Sequence, residues 1–282
     1  MTAALAPTTL VIARLTFREA ARRRILLAAL LMGIVFLIIY GLGYHYVNVE
    51  IEREATRVLQ RNEIRNFLFM AGLYVVNFLT VMMAVLTSVD TLSGEIATGT
   101  VHTLVSKPVR RREIVLGKWL GFAGMLTLYL TLMAGGVVGL VYAISGYTAP
   151  NLVNGLSLLW LNAILLLGVS LVGGALLSTL ANGVLVFGMY GIAFVGGWIE
   201  QIGSFLQNET AVNIGILSSL IIPSEALWKR AAYEMQSPLV QALGFSPFSA
   251  ASVPSPVMIA YAAVYAGVAL LLAIRLFGRR DL

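Results

Sequence analysis

The chain has 282 residues, of which 59% are hydrophobic and only 11% charged, with a net charge of +6. A soluble domain carries about 25% charged residues, so a water-soluble globular fold is excluded; long apolar runs mark helices that cross a ~30 Å hydrocarbon core. Cysteine is absent and histidine occurs twice, which sets aside disulfides, thiolate metal sites and haem ligation.

Backbone amides in lipid must be satisfied within their own segment or in a closed barrel. The apolar runs here are continuous, without polar alternation, so the expected fold class is an all-α integral membrane protein with about six transmembrane helices. Thr8 or Thr9 opens a helix over 9–24, in which Arg14, Arg18 and Arg22 recur every four residues opposite Leu10, Ala13, Phe17 and Ala20. That pattern predicts a basic amphipathic helix at a membrane surface, or simply a positive anchor for the first span.

Span one covers about 25–47, longer than a signal-peptide core. Residues 48–66 read as a separate charged helix, with Arg53, Arg57, Arg61 and Arg65 at four-residue spacing. Glu50 and Glu54 sit three residues before Arg53 and Arg57, a spacing that supports a helix by pairing. The arginine stripe is a solvated face or a docking surface for an extracytoplasmic partner.

Span two covers about 67–90, followed by a polar loop over 91–117. Span three runs from Lys118 to Ile144, a turn occupies 145–151, and span four covers about 152–180. Ala181-Asn182-Gly183 reads as a tight hairpin into span five, about 184–206, and the last span is about 257–277. Between them, 207–256 is expected to be a re-entrant or interfacial segment. Its apolar run at 211–222 is too short to cross, Pro223 ends that run, and Ser224 is placed to cap a short helix carrying Trp228, Lys229 and Arg230.

Charge sets the expected orientation. With the amino terminus, the 91–117 loop and the carboxyl terminus in the cytoplasm, that side holds Arg14, Arg18, Arg22, Arg23, Arg24, Lys107, Arg110, Arg111, Arg112, Lys118, Arg275, Arg279 and Arg280. These are 13 of the 19 basic residues, the bias that the positive-inside rule describes. The +6 charge therefore reads as a topology signal rather than a nucleic-acid surface, in a cytoplasmic (inner) membrane.

The 91–117 loop carries the most specific signal. Glu95, Gly99-Thr100, Leu104, Pro108-Val109, Arg111-Arg112, Glu113-Ile114 and Gly117-Lys118 follow one another between spans two and three. A loop that only fixes topology needs a few positive charges and nothing more. The order of residue types resembles that of permease (transmembrane) subunits of type-2 family ABC exporters: an acid, Gly-Thr, a leucine-rich stretch, Pro-Val, a basic pair, Glu-Ile and Gly-Lys. Arg110 departs from that pattern, which has a small residue there more often. The layout of the whole chain, including the basic amino-terminal helix and a terminal Arg-Arg-Asp-Leu at 279–282, is similar too.

The resemblance implies a permease whose amino-terminal helix and 91–117 loop meet a separate ABC-type ATPase. Two permease copies, a homodimer here, and two ATPases would make the transporter. On that reading the ATPase-coupling residues are Arg14, Arg18, Arg22, Glu95, Gly99, Thr100, Pro108, Arg111, Arg112, Glu113 and Lys118. The chain itself has no phosphate loop, because Gly117-Lys118 is followed by Trp119 and Arg112 stands where the first glycine belongs. ATP and Mg are therefore expected in the partner, with no catalytic residue, cofactor or metal in this chain.

Gly117, Gly121, Gly135 and Gly139 fall on one face of span three, where small residues allow close approach within the chain or between copies. His45 and His102 lie on opposite sides of the membrane and share no metal. Asn77 and Asn162 are expected to bridge helices rather than touch substrate. Asp90 and Glu200 fall near span ends, within reach of water, and no acid is placed mid-span, which disfavours an ion-coupled carrier. A membrane scaffold that binds partners without transporting remains the alternative to the permease.

Overall fold

A computed structural model describes residues 5–54, 58–94, 110–237 and 252–279, and all regular structure among them is helical. The helices are α1 (Leu5–Arg22), α2 (Arg24–Glu54), α3 (Val58–Ser88), α4 (Arg111–Ser145), α5 (Leu152–Leu176), α6 (Thr179–Phe205), α7 (Glu209–Ile221), α8 (Ser224–Met235) and α9 (Pro256–Arg279). Six of them, α2 to α6 and α9, are long and apolar enough to cross a membrane. The expected all-α membrane architecture of six spans is the one observed.

α4 is the hub, packing against α1, α2, α3, α5 and α9. α5 is the most enclosed span, with 72% of its apolar window buried, whereas α2 buries 11% and presents the rest outward. Hydrophobic transfer contributes little between helices already in lipid, so close packing and interhelical hydrogen bonds hold such a bundle. Asn162 Nδ2 donates to Asn77 Oδ1 at 3.1 Å, joining α5 to α3, and Trp160 Nε1 donates to Thr127 Oγ1 at 2.8 Å, joining α5 to α4. The two asparagines thus bridge helices, as expected.

The charged stretch at 48–66 is not a helix of its own. At 31 residues each, α2 and α3 are ~46 Å long at 1.5 Å per residue, well beyond the hydrocarbon core, and the charges ride on their protruding ends. Arg65 ties the two together, its Nε donating to Asn48 Oδ1 at 2.9 Å and its Nη2 to Glu52 Oε1 at 3.0 Å. Nearby, Asn66 Nδ2 donates to the Tyr147 hydroxyl at 2.7 Å and to the Met235 carbonyl at 2.9 Å. This end of α3 therefore also holds the 145–151 turn and the tail of α8.

Two turns differ from expectation. The α5–α6 connection is Leu177-Ser178, both extended, and Ala181-Asn182-Gly183 lies inside the first turns of α6. Asn182 is occupied elsewhere: its Nδ2 donates to the Val89 and Ser170 carbonyls at 3.0 and 2.9 Å. Pro223 occupies the N-cap position of α8, and Ser224 is its first residue, its hydroxyl buried and unpartnered among the described residues. The re-entrant expectation matches the geometry better. α7 and α8, of 13 and 12 residues, are each too short to cross and meet at a bend of 107°.

Candidate functional site

The ends of α1, α3, α4, α6 and α9 converge on one side of the bundle. α1 lies across the beginning of α4, and two glycines set the distance. A Cβ on Gly117 would stand 2.6 Å from Ile12 Cβ, and one on Gly121 would stand 2.7 Å from the Ala13 carbonyl and 2.8 Å from Thr16 Cβ. Any side chain at either position forces the helices apart. Gly135 and Gly139, on the same face farther along, have nothing within 4 Å. Gly135 instead lines an open apolar groove of about 890 Å³ between α4 and α5.

With Ile12, Ala13, Thr16 and Ala20 turned toward α4, the outer face of α1 carries Arg14, Arg18 and Arg22, all exposed. Leu10, expected on the side opposite the arginines, is exposed among them at 62%, and Val11 and Leu15 are exposed too. The outer face is therefore mixed, apolar and basic together. Long basic side chains with apolar stems suit a water–lipid boundary of this kind.

Arg23, in the break between α1 and α2, donates to Glu19 Oε1 at 2.8 Å and lies 3.8 Å from Asp90 Oδ2. Asp90 Oδ1 accepts from the Thr179 hydroxyl at 3.1 Å, and Ser93 Oγ lies 2.9 Å from the same hydroxyl. The end of α3 is thereby fastened to the root of α1 and to the start of α6. Sequence reasoning missed this network. Asp90 is within reach of water, as expected, with its side chain 51% exposed, but its partners come from distant parts of the chain and no local pattern names them.

α4 begins after Arg110, whose backbone is extended. Arg112 is exposed, while Arg111 is half-buried and its Nη1 donates to the Gly278 carbonyl at 3.3 Å. Glu113 and Lys118, at 6% and 5% exposure, are buried, and Lys118 Nζ donates to the Thr91 carbonyl at 3.4 Å. Lys118 thereby ties the start of α4 to the end of α3. Glu95, Gly99, Thr100 and Pro108 lie outside the described residues, between Gly94 and Arg110, the two roots of the loop at this same end.

The opposite end holds a second polar centre. Glu200, expected within reach of water, is 2% exposed. Its Oε2 accepts from Lys229 Nζ at 2.6 Å, and its Oε1 accepts from Ser252 Oγ at 2.6 Å. The acid lies under the α7–α8 bend, which covers the end of α6. A length count along α6 has no means of registering that cover.

Among the described residues no group of three or more acids and histidines is placed to hold a metal. Comparison with curated proteins returns no match. Residues 10–282, nearly the whole chain, match the family model described as an ABC-2 family transporter protein. The chain belongs to the ABC-2 transporter family. It is thus a multi-pass membrane domain of the ABC permease type, and ABC-2 membership brings with it ATPase subunits as partners.

Proposed function

We propose that this ABC-2 chain is the permease of an ATP-driven exporter, seated in the cytoplasmic membrane with both termini inside. It works as a pair with a second copy, and two separate ATPase subunits bind ATP and Mg. The observation that carries this reading is the joining of α1 to the roots of the 91–117 loop. α1 is locked on α4 at Gly117 and Gly121, and its Arg23 reaches Asp90 at the end of α3. A partner that pushes on this unit moves α1, α3 and α4 together.

The exposed Arg14, Arg18, Arg22 and Arg112 surround the loop roots and supply charge for a partner surface. In this proposal Glu95, Gly99, Thr100 and Pro108 form the contacting turn, and Glu113 and Lys118 transmit its displacement. The basic bias toward this end supports placing it in the cytoplasm.

Topology and partnership are tested together. In this cysteine-free chain, the thiol introduced by His102→Cys should be labelled only from the cytoplasm and that from Arg57→Cys only from outside. Purification from the native membrane should bring an ATPase, and the chain alone should hydrolyse no ATP. Reversed labelling refutes the orientation; transport without an ATPase refutes the exporter.

A further inference from the structure

Beside the Glu200–Lys229 pair lies a third buried charge-capable group with no such partner. Glu225, in the first turn of α8, is 8% exposed. Among the described residues its carboxyl accepts no hydrogen bond and belongs to no ion pair. The side chain lies directly against Gly197 of α6, where a Cβ would collide with it. Gly215 of α7 meets α6 at its backbone, where a Cβ would collide with Glu200 Cβ and the Gly196 carbonyl. One glycine thus clears the space for the Glu225 carboxyl group and the other brings α7 close against α6.

Among the described residues, the charged neighbours of Glu225 are one cation, Lys229, and one further acid, Glu200. From α8 comes Lys229, one turn away but committed to Glu200 at 2.6 Å; from α6 come Glu200 and Tyr190, and from α3 comes Tyr74. α5, which also packs on α8, has no titratable residue; α9, packed on α8 as well, carries Tyr261, Tyr265, Arg275 and Arg279; and the acid of α7 is Glu209, exposed at its first turn. A carboxylate buried without a hydrogen bond or a cation of its own is costly, whereas the neutral acid is tolerated.

We propose that Glu225 is a proton-binding site that latches the α7–α8 pair onto α6: protonated it stays buried, and on losing its proton to water it releases the pair. Burial pushes its carboxyl up to about 7, Lys229 draws it down and Glu200 pushes it up again. The released state, with the carboxyl in water, has the ordinary carboxylic value near 4.3. The closed state therefore binds the proton more tightly. Its advantage is complete below about pH 4, falls as pH rises toward 7, and is gone above that. Ionised Glu225 also competes with Glu200 for Lys229, which adds to the release.

The test uses the whole chain and a single introduced thiol. Ser219 is buried and lines a cavity of about 180 Å³ together with Glu200, Lys229 and Ser252. Ser219→Cys therefore reports opening of the α7–α8 cover through its rate of modification by a water-soluble thiol reagent. Rates are compared, pH by pH, with the same reporter in a Glu225→Gln background, so that ionisation of the thiol itself cancels. The ratio of native to Gln background should rise about tenfold or more between pH 5 and pH 8; a flat ratio overturns the proposal. Should Glu225→Gln fail to insert, infrared spectroscopy of the native protein decides. A protonated carboxylic-acid carbonyl band must be present near pH 6 and lost near pH 9, and its absence overturns the latch.

Discussion

The two ends of this bundle use charge in opposite ways. At the amino-terminal end the arginines of α1 and Arg112 stand exposed around the roots of a loop, and the ion pair of Arg23 with Asp90 is loose at 3.8 Å. At the re-entrant end Glu200 and Lys229 are enclosed, paired at 2.6 Å and joined by Ser252. Exposed charge is available to a partner and contributes little to stability. Enclosed charge fixes the fold and becomes a liability once a member is removed. The first end is built to be grasped from outside, the second to hold itself shut.

That contrast is broken most easily at the enclosed pair. Lys229→Ala leaves Glu200 buried without its cation, and loss of one member of a buried pair costs about 3–5 kcal/mol. Thermal unfolding in detergent should show a large drop, and Lys229→Met with Glu200→Leu should restore most of it. If the single substitution is silent, the pair is not the fastening described. The next largest effect belongs to the α1–α4 contact. Gly121→Leu must displace Thr16 and the Ala13 backbone, an overpacking that costs about 1–3 kcal/mol. Proteolysis of the amino terminus should accelerate while the rest of the bundle stays intact. Gly139→Leu, with open space around it, should change neither reading.

The smallest effect is expected at Arg23. Its side chain is 27% exposed and its partners Glu19 and Asp90 are more than half exposed, and such pairs contribute about 0–1 kcal/mol. Arg23→Ala should leave unfolding within that range while weakening the link between α1 and the end of α3. Equal losses for Arg23→Ala and Lys229→Ala would erase the distinction between the two ends.

Spans are legible in a sequence because one signal, sustained hydrophobicity over 20 or so residues, is read locally. That signal located all six, and the shortness of 211–222 with Pro223 behind it located the re-entrant bend. Helix ends were less legible. α2 and α3 continue through the charged residues at 48–54 and 58–66, because a helix leaving lipid has no reason to stop at the first arginine. Asn182-Gly183 has the composition of a turn, yet Asn182 is spent on the Val89 and Ser170 carbonyls.

The candidate site divided along the same line. The exposed Arg14, Arg18 and Arg22 follow from helical period alone, and the close approach at Gly117 and Gly121 from small-residue spacing. The burial of Glu113, Lys118 and Glu200 does not. It depends on which neighbours cover them, and those come from 27 or more residues away in the chain for Lys118 and Glu200. Local pattern carries no record of such contacts.

The central claim is that the amino-terminal end, and not the opposite end, transmits force between the permease and its ATPase. It is tested most directly by measuring ATPase copurified with the permease, and the activity of that ATPase, for Glu95→Lys, Arg112→Glu and Arg53→Glu side by side. Arg112 and Arg53 are both exposed arginines, one on each end, so the comparison isolates location from charge. Glu95→Lys and Arg112→Glu should insert normally yet release the ATPase or leave it unresponsive, while Arg53→Glu behaves as the native chain. Full ATPase association and activity with both Glu95→Lys and Arg112→Glu would contradict the claim.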